Sequence, residues 1–187
     1  IIATGSNNTS RYFEYYFNNY PHIIRKNRNS IAILTGNETK EELNKLADDI
    51  FLYFGLGCRN ISKLYVPKNY NFEIFFKSIN HYKDIINHNK YANNYKYYKS
   101  ILLLNKTPFF DNGFSLLKED LSISSPISII NYEKYNSIKT LTKTIAQNSE
   151  NIQCIVTNCN EFKNKIKFGQ AQKPELWDYA DNIDTLE

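Results

Sequence analysis

Apolar residues fall into short blocks along this chain, and their spacing switches between the two regular periods. Ile1 to Thr4 is an apolar run ending in a Gly5-Ser6 turn, which predicts the end of a strand. Aromatic residues between Asn8 and Asn18 predict a short helix that Pro21 stops. Ile23-Ile24 and Ser30 to Leu34 predict two strands, the second closed by Thr35-Gly36. In the clearest helix, Thr39 with Glu42 three residues later forms a capping box. Leu43, Leu46, Ala47, Ile50, Phe51 and Phe54 then keep helical spacing, and Gly55 supplies a left-handed stop. Ile61 to Val66 predicts a strand ended by Pro67.

Phe72, Phe75, Phe76, Ile79, Ile85 and Ile86 mark a second amphipathic helix, and a third runs from about Ala92 to Leu104. Asp111-Asn112-Gly113, between Phe109-Phe110 and Phe114 to Leu117, predicts a hairpin. Ile127 to Ile130 and Ile152 to Val156 predict strands, Ile138 to Ala146 a helix, and Gly169 begins an irregular tail. This alternation predicts an α/β fold.

Composition narrows the class. The 187 residues are enough to bury a sizeable core, and 42% hydrophobic against 22% charged residues describes a globular chain. Lys and Arg number 23 against 19 Asp and Glu, a net charge of +4 scattered along the chain. Scattered charge argues against nucleic acid as a partner, which calls for a basic patch or stripe. No apolar run approaches the roughly 20 residues of a membrane span. The three cysteines, Cys58, Cys154 and Cys159, cannot all pair within one chain, so a reducing, cytoplasmic setting is expected. The chain opens on an apolar strand, contains no Met and stops at Glu187 without a helix cap, so it reads as an internal piece of a longer protein.

Cys58 is the most informative residue for chemistry. It follows a helix and a Gly55-Leu56-Gly57 turn and precedes a strand, which predicts a tight loop at a sheet edge. A thiolate there can act as a nucleophile, while a buried structural thiol is the alternative; context leaves both open. Thr4-Gly5-Ser6, a small-residue turn opening a helix, can present N–H groups to an anion, or serve only as a helix cap. His81 and His88 are seven apart and are expected on one solvent-facing side of a helix, and no Cys–His–Asp set is legible. Cys154 reads as a strand core residue, no metal set is expected, and Glu119-Asp120 reads as a solvated acidic turn.

Taken in order, these blocks resemble the aldehyde dehydrogenase superfamily, in particular its acyl-CoA reductase branch. Thr4-Gly5-Ser6 is similar to the family's cofactor-side turn, and Phe54-Gly55-Leu56-Gly57-Cys58-Arg59-Asn60 to the segment carrying its catalytic cysteine. Ser125-Pro126-Ile127 resembles the stretch after its ribose-binding glutamate, and Phe168 to Gln172 with Asp178 to Asp181 resembles the reductase branch's C-terminal signature. The resemblance implies an aldehyde-dehydrogenase-like catalytic domain with a three-layer sheet, over residues 28–168. It implies the end of a nucleotide-binding domain over 1–27 and a C-terminal segment over 169–187. It also implies NADPH as cofactor, held by Thr4, Gly5, Ser6 and Glu119, and an acyl-CoA or acyl-protein thioester as substrate. A fatty aldehyde would form through an acyl-Cys58 intermediate, and a homo-oligomer is usual for the superfamily. The family's general-base glutamate is not matched, because Arg25-Lys26-Asn27-Arg28-Asn29 occupies that stretch. The rival readings are a cysteine-dependent acyltransferase or hydrolase without nicotinamide, and a non-catalytic binding module.

Overall fold

A computed structural model describes residues 1–162 and 164–178. Strand β1 (Ile2–Thr4) pairs in parallel with β2 (Ile23–Arg25), and helix α1 (Asn7–Phe17) connects them. Ser6 caps α1 by accepting the Thr9 N–H at 3.2 Å. A Cβ at Gly5 would lie 2.9 Å from the Thr9 side chain, so only glycine lets the helix begin this close to the turn.

The second sheet has seven strands: β3 (Asn29–Ile33), β4 (Ile61–Pro67), β5 (Phe109–Asp111), β6 (Leu116–Glu119), β7 (Ile129–Tyr135), β8 (Ile152–Val156) and β9 (Lys165–Ile166). Their spatial order is β5-β6-β7-β4-β3-β8-β9, and every pairing is parallel except β5 with β6. Central strands buried on both faces need apolar residues at successive positions, and Ile31 to Leu34 and Leu64 to Val66 are all buried. Helices α2 (Lys40–Phe51) and α3 (Phe72–Ile79) pack Leu46, Ile50 and Phe75 against Ala32, Leu64 and Val66. On the opposite face, α5 (Ile138–Gln147) packs Leu141 and Ile145 against Ile31, Ile33 and Tyr65. The three layers expected from the sequence are therefore present. Helix α4 (Asn89–Leu104) packs Tyr95 and Leu102 on Leu116 and Ile129, toward the β5 edge. Among the described residues, no helix is long and apolar enough to cross a membrane.

Several boundaries differ from the sequence reading. Helix α2 ends at Phe51, not Phe54: Leu52 is extended, and Tyr53, Phe54 and Gly55 are successively left-handed with φ of 55°, 61° and 73°. The second predicted helix stops at Ile79 and continues as a 3₁₀ stretch over Asn80–Asn87. Ile79, Tyr82 and Ile85 are three apart and all pack on the core, which the three-residue 3₁₀ repeat brings into line. His81 and His88 consequently do not share a helix face. His81 lies in the 3₁₀ stretch, and His88 has extended backbone before α4 with its ring 4.3 Å from that of Phe54, although both are exposed.

The hairpin forms as expected, but its second strand starts at Leu116 because Asn112 Oδ1 captures the N–H groups of Phe114 and Ser115. The strand expected at Ile127 begins at Ile129, after Ser128 adopts a φ of 71°.

The tail returns to α2 through Asp49. This fully buried carboxylate accepts the backbone N–H of Gly169 at 2.6 Å and of Ala171 at 2.9 Å. Burial nevertheless dominates and pushes Asp49 up to about 6 from an ordinary 3.8. The folded state thus holds this proton more tightly than the unfolded chain, so stability falls as pH rises from about 4 to about 6. The shift is roughly two units at about 1.4 kcal/mol each, so up to about 3 kcal/mol is lost across that window. Urea unfolding of Asp49→Asn at a series of pH values is expected to lack this loss; an unchanged pH slope would refute the assignment.

Candidate active site

Helix α2 leads into the Cys58 loop through its three consecutive left-handed residues. Left-handed backbone costs a non-glycine residue about 1–2 kcal/mol, so Tyr53 and Phe54 are held there by their surroundings. Asn60, nearly fully buried, does much of this. Its amide Nδ2 donates to the carbonyls of Asp49, Ile50 and Leu52 at 3.1, 3.2 and 2.9 Å, while its Oδ1 accepts the Gly57 N–H at 2.9 Å. One side chain therefore satisfies the carbonyls orphaned at the end of α2 and fixes the turn before the cysteine. Ser30 Oγ donates to the Cys58 carbonyl at 2.8 Å, and Arg59 Nε donates to the Ala171 carbonyl. Cys58 itself is exposed.

The loop opens on a cleft of about 1120 Å³, a little above the roughly 300–1,000 Å³ of ordinary ligand sites. Asn29, Ile61, Ile129 and Gln153 place it where β3, β4, β7 and β8 begin, while Thr4, Gly5 and Arg25 place it beyond the carboxyl ends of β1 and β2. The carboxyl end of a parallel sheet is where α/β folds commonly take ligands.

A third wall comes from the connection between β6 and β7. It runs back over the sheet face and is stitched down from below. Lys63 Nζ donates to the Leu121 carbonyl at 2.8 Å, Ser62 Oγ to Ile123 at 2.7 Å, and Asn131 Nδ2 to Ser122 and Ser124 at 3.1 and 3.0 Å. Ser122 to Ser128 line the cleft as a result. Lys63 is fully buried and paired with Glu133 at 2.5 Å. Lys63→Met is expected to cost about 2–3 kcal/mol, at or just below the low end of the range of about 3–5 kcal/mol for a broken buried pair, because Glu133 remains partly solvated. Urea unfolding measures this, and a cost below about 0.5 kcal/mol, the level of an ordinary surface change, would show that the pair does not hold the wall.

Of the residues singled out from sequence, the structure brings Cys58, Thr4 and Gly5 to one cleft. Ser6 sits beside it as the cap of α1, its Oγ engaged with Thr9. Glu119 is not brought there. It ends β6 at the far end of the strand, where its carboxylate pairs with Lys134 at 3.0 Å and accepts from the Tyr132 hydroxyl at 3.3 Å. Glu119 therefore stands apart from the described lining of the cleft, since the chain needs the whole 121–127 return before it reaches it. Cys154 is buried in β8, and burial pushes its thiol up from the ordinary value, as it does for Cys159. Of the proposed C-terminal signature, Phe168 and Ala171 are core residues and Asp178 lies 3.9 Å from Arg59; 179–181 fall outside the described residues.

Two cleft residues carried no sequence signal. The Tyr91 hydroxyl and Ser128 Oγ are buried, line the cleft and have no hydrogen-bond partner among the described residues. Burial pushes the Tyr91 phenol up, so it keeps its proton as a donor to whatever fills the cleft. A second, smaller cavity of about 380 Å³ adjoins, with Phe54, Leu56, Tyr91 and Ile127 as its apolar lining. The described residues lining the main cleft include three cations, Arg25, Lys26 and Arg28, and no Asp or Glu.

No protein-family model and no curated protein matches the chain in sequence. Solved structures of similar fold include aldehyde dehydrogenases. KauB from Pseudomonas aeruginosa superposes with a TM-score of 0.60 at 10% identity, over 83% of this chain and 39% of that one. An NAD-dependent aldehyde dehydrogenase from Burkholderia multivorans gives 0.59 at 12% identity, over 86% and 37%. An aldehyde dehydrogenase from Bacillus cereus, solved with NAD+, gives 0.57 at 12% identity, over 86% and 40%. The chain thus has the fold of part of an aldehyde dehydrogenase, spanning about two fifths of those proteins' length.

Proposed function

We propose that this chain carries the thiol centre of an acyl-thioester reductase, with Cys58 as nucleophile and a phosphorylated nicotinamide nucleotide, NADPH, as reductant. The observation that carries the reading is an exposed thiol opening on a cleft whose described lining residues include no carboxylate. Oxidation of an aldehyde ends with hydrolysis of an acyl-enzyme, which calls for a base to activate water. Here the cationic stretch Arg25 to Arg28 stands in that wall instead. An acyl group on Cys58 would therefore persist until reduced, or until a second thiol removed it.

The residues present fit a nicotinamide nucleotide. The cleft has the volume, and Tyr91 and Ser128 offer two buried hydroxyls for polar groups. Thr4, Gly5 and the Ser122–Ser128 wall would hold it, and when bound it supplies a hydride. Cys58 thiolate attacks the thioester carbonyl; the carbon–sulfur bond to the carrier breaks, and the carrier thiolate leaves and takes up a proton. After reduction of the acyl-Cys58 carbonyl, the thiohemiacetal collapses to an aldehyde and returns the electron pair to the Cys58 sulfur. The apolar cavity at Phe54 and Leu56 lies beside the cysteine loop and suits an alkyl chain.

Intact-mass measurement tests the reading. Incubation with octanoyl-CoA is expected to add one octanoyl mass at Cys58, and NADPH to discharge it as octanal. An adduct on another residue, or its release by water alone at the same rate, would defeat the proposal.

A further inference from the structure

The two buried hydroxyls without a partner among the described residues are not equivalent. Ser128 lines only the main cleft, whereas Tyr91 lines both that cleft and the adjoining cavity. Phe54, Leu56, Asn94 and Ile127 also line both, so these residues form the passage from the cysteine cleft into the apolar cavity. Phe54, Leu56 and Ile127 make part of that passage apolar. Tyr91 and Asn94, three apart on one face of α4, make the rest polar. Tyr91 is only 3% exposed, and burial pushes its phenol up, so it keeps its proton. It is therefore a donor with no acceptor among the described residues. Asn94 Nδ2 donates to the Lys90 carbonyl at 2.8 Å within the helix, and its Oδ1 is an acceptor. Buried polar groups left unpaired are rare and costly in folded proteins, so a ligand in this passage gains by pairing the Tyr91 hydroxyl. A plain alkyl chain cannot.

We infer that this passage selects an acyl group carrying a hydroxyl close to its thioester end, with Tyr91 as the specificity-determining residue. The inference rests on the reductase reading and gives it a substrate class, a hydroxyacyl thioester. With the reacting carbonyl at Cys58 in the main cleft and the alkyl tail in the apolar cavity, the carbons between them occupy the passage. A hydroxyl there accepts from Tyr91 and donates to Asn94 Oδ1, whereas a keto oxygen can only accept. Without that hydroxyl the phenol stays buried and unpaired in the complex. A site built to pair a substrate oxygen discriminates against the analogue that lacks it.

The test compares the rates at which 3-hydroxyoctanoyl-CoA, 3-oxooctanoyl-CoA and octanoyl-CoA acylate Cys58, followed by intact mass. Each rate is divided by that of the same thioester with free N-acetylcysteine, which removes intrinsic reactivity. The hydroxyacyl thioester is expected to react about tenfold faster than the octanoyl one, as one well-made buried hydrogen bond would give, and faster than the 3-oxo thioester. Tyr91→Phe is expected to bring the hydroxyacyl and octanoyl rates within about twofold of each other, because the donor is gone. Its urea midpoint should not fall, since the hydroxyl removed has no partner to lose; a merely structural hydroxyl would lower the midpoint and leave the rate ratio alone. Equal rates for the hydroxyacyl and octanoyl thioesters, a preference that survives Tyr91→Phe, or a 3-oxo rate matching the hydroxyacyl one overturns the inference. Failure of all three thioesters to acylate Cys58 overturns the reductase reading instead.

Discussion

Cys58→Ser is expected to abolish the acyl adduct and reduce aldehyde formation from octanoyl-CoA to the uncatalysed level. The thiolate is the attacking species of a cysteine, and a serine hydroxyl in its place would need an adjacent base. The described lining of the main cleft holds no carboxylate or histidine; His88 lines the adjoining cavity, its ring packed 4.3 Å from that of Phe54. Cys154→Ser and Cys159→Ser should keep the adduct, because one thiol is buried in β8 and the other is engaged with Glu161 at 2.7 Å. Intact mass and aldehyde assay of the three variants decide this. An adduct that survives in Cys58→Ser places the nucleophile elsewhere.

Asn60→Ala is expected to destabilise the fold by about 4 kcal/mol, near the upper end for a single substitution. The change strands the carbonyls of Asp49, Ile50 and Leu52 and the N–H of Gly57, which now share one buried amide. Each unsatisfied buried group costs about 1–3 kcal/mol, less where water can enter. Asn60→Asp should be as harmful, since an acceptor-only carboxylate would face three carbonyls. The Cys58 loop should loosen with it, so acylation slows even where the protein remains folded. Urea unfolding and acylation rates at low temperature measure the two effects. A loss under about 1 kcal/mol, the worth of a single ordinary hydrogen bond, would mean that Asn60 does not anchor the turn.

That Cys58 follows a helix and precedes a strand was legible because those elements are local, but the strand is the central β4 and not one at a sheet edge. The Thr39–Glu42 capping box forms with both reciprocal bonds, at 2.8 and 3.2 Å, and the strand after the cysteine starts where the sequence indicates. The role of Asn60 was less so. A lone Asn two residues past a cysteine signals nothing until the helix end folds back over it. Tyr91 read as one more residue in a tyrosine-rich stretch, and Ser128 as one of several serines, because burial without a partner is a property of the packed molecule. Glu119 stands apart for a related reason. Its nearness to Ser125-Pro126 in sequence suggested a shared site, but a strand end and a return over the sheet separate them.

Local order along the chain, then, determined which segments become helices and strands, since periodicity, caps and turn residues act within a few positions of one another. It also determined that one cysteine follows a glycine turn and that no acidic residue stands in the Arg25 to Asn29 stretch. Only the tertiary structure decided that this basic stretch, the Gly5 turn, Cys58 and the Ser122–Ser128 wall meet at one cleft. Their meeting depends on strand order and register, in which β4 lies between β3 and β7 although residues far apart in the chain supply them. Those pairings are chosen by burying the whole sheet at once, so no window of sequence contains them.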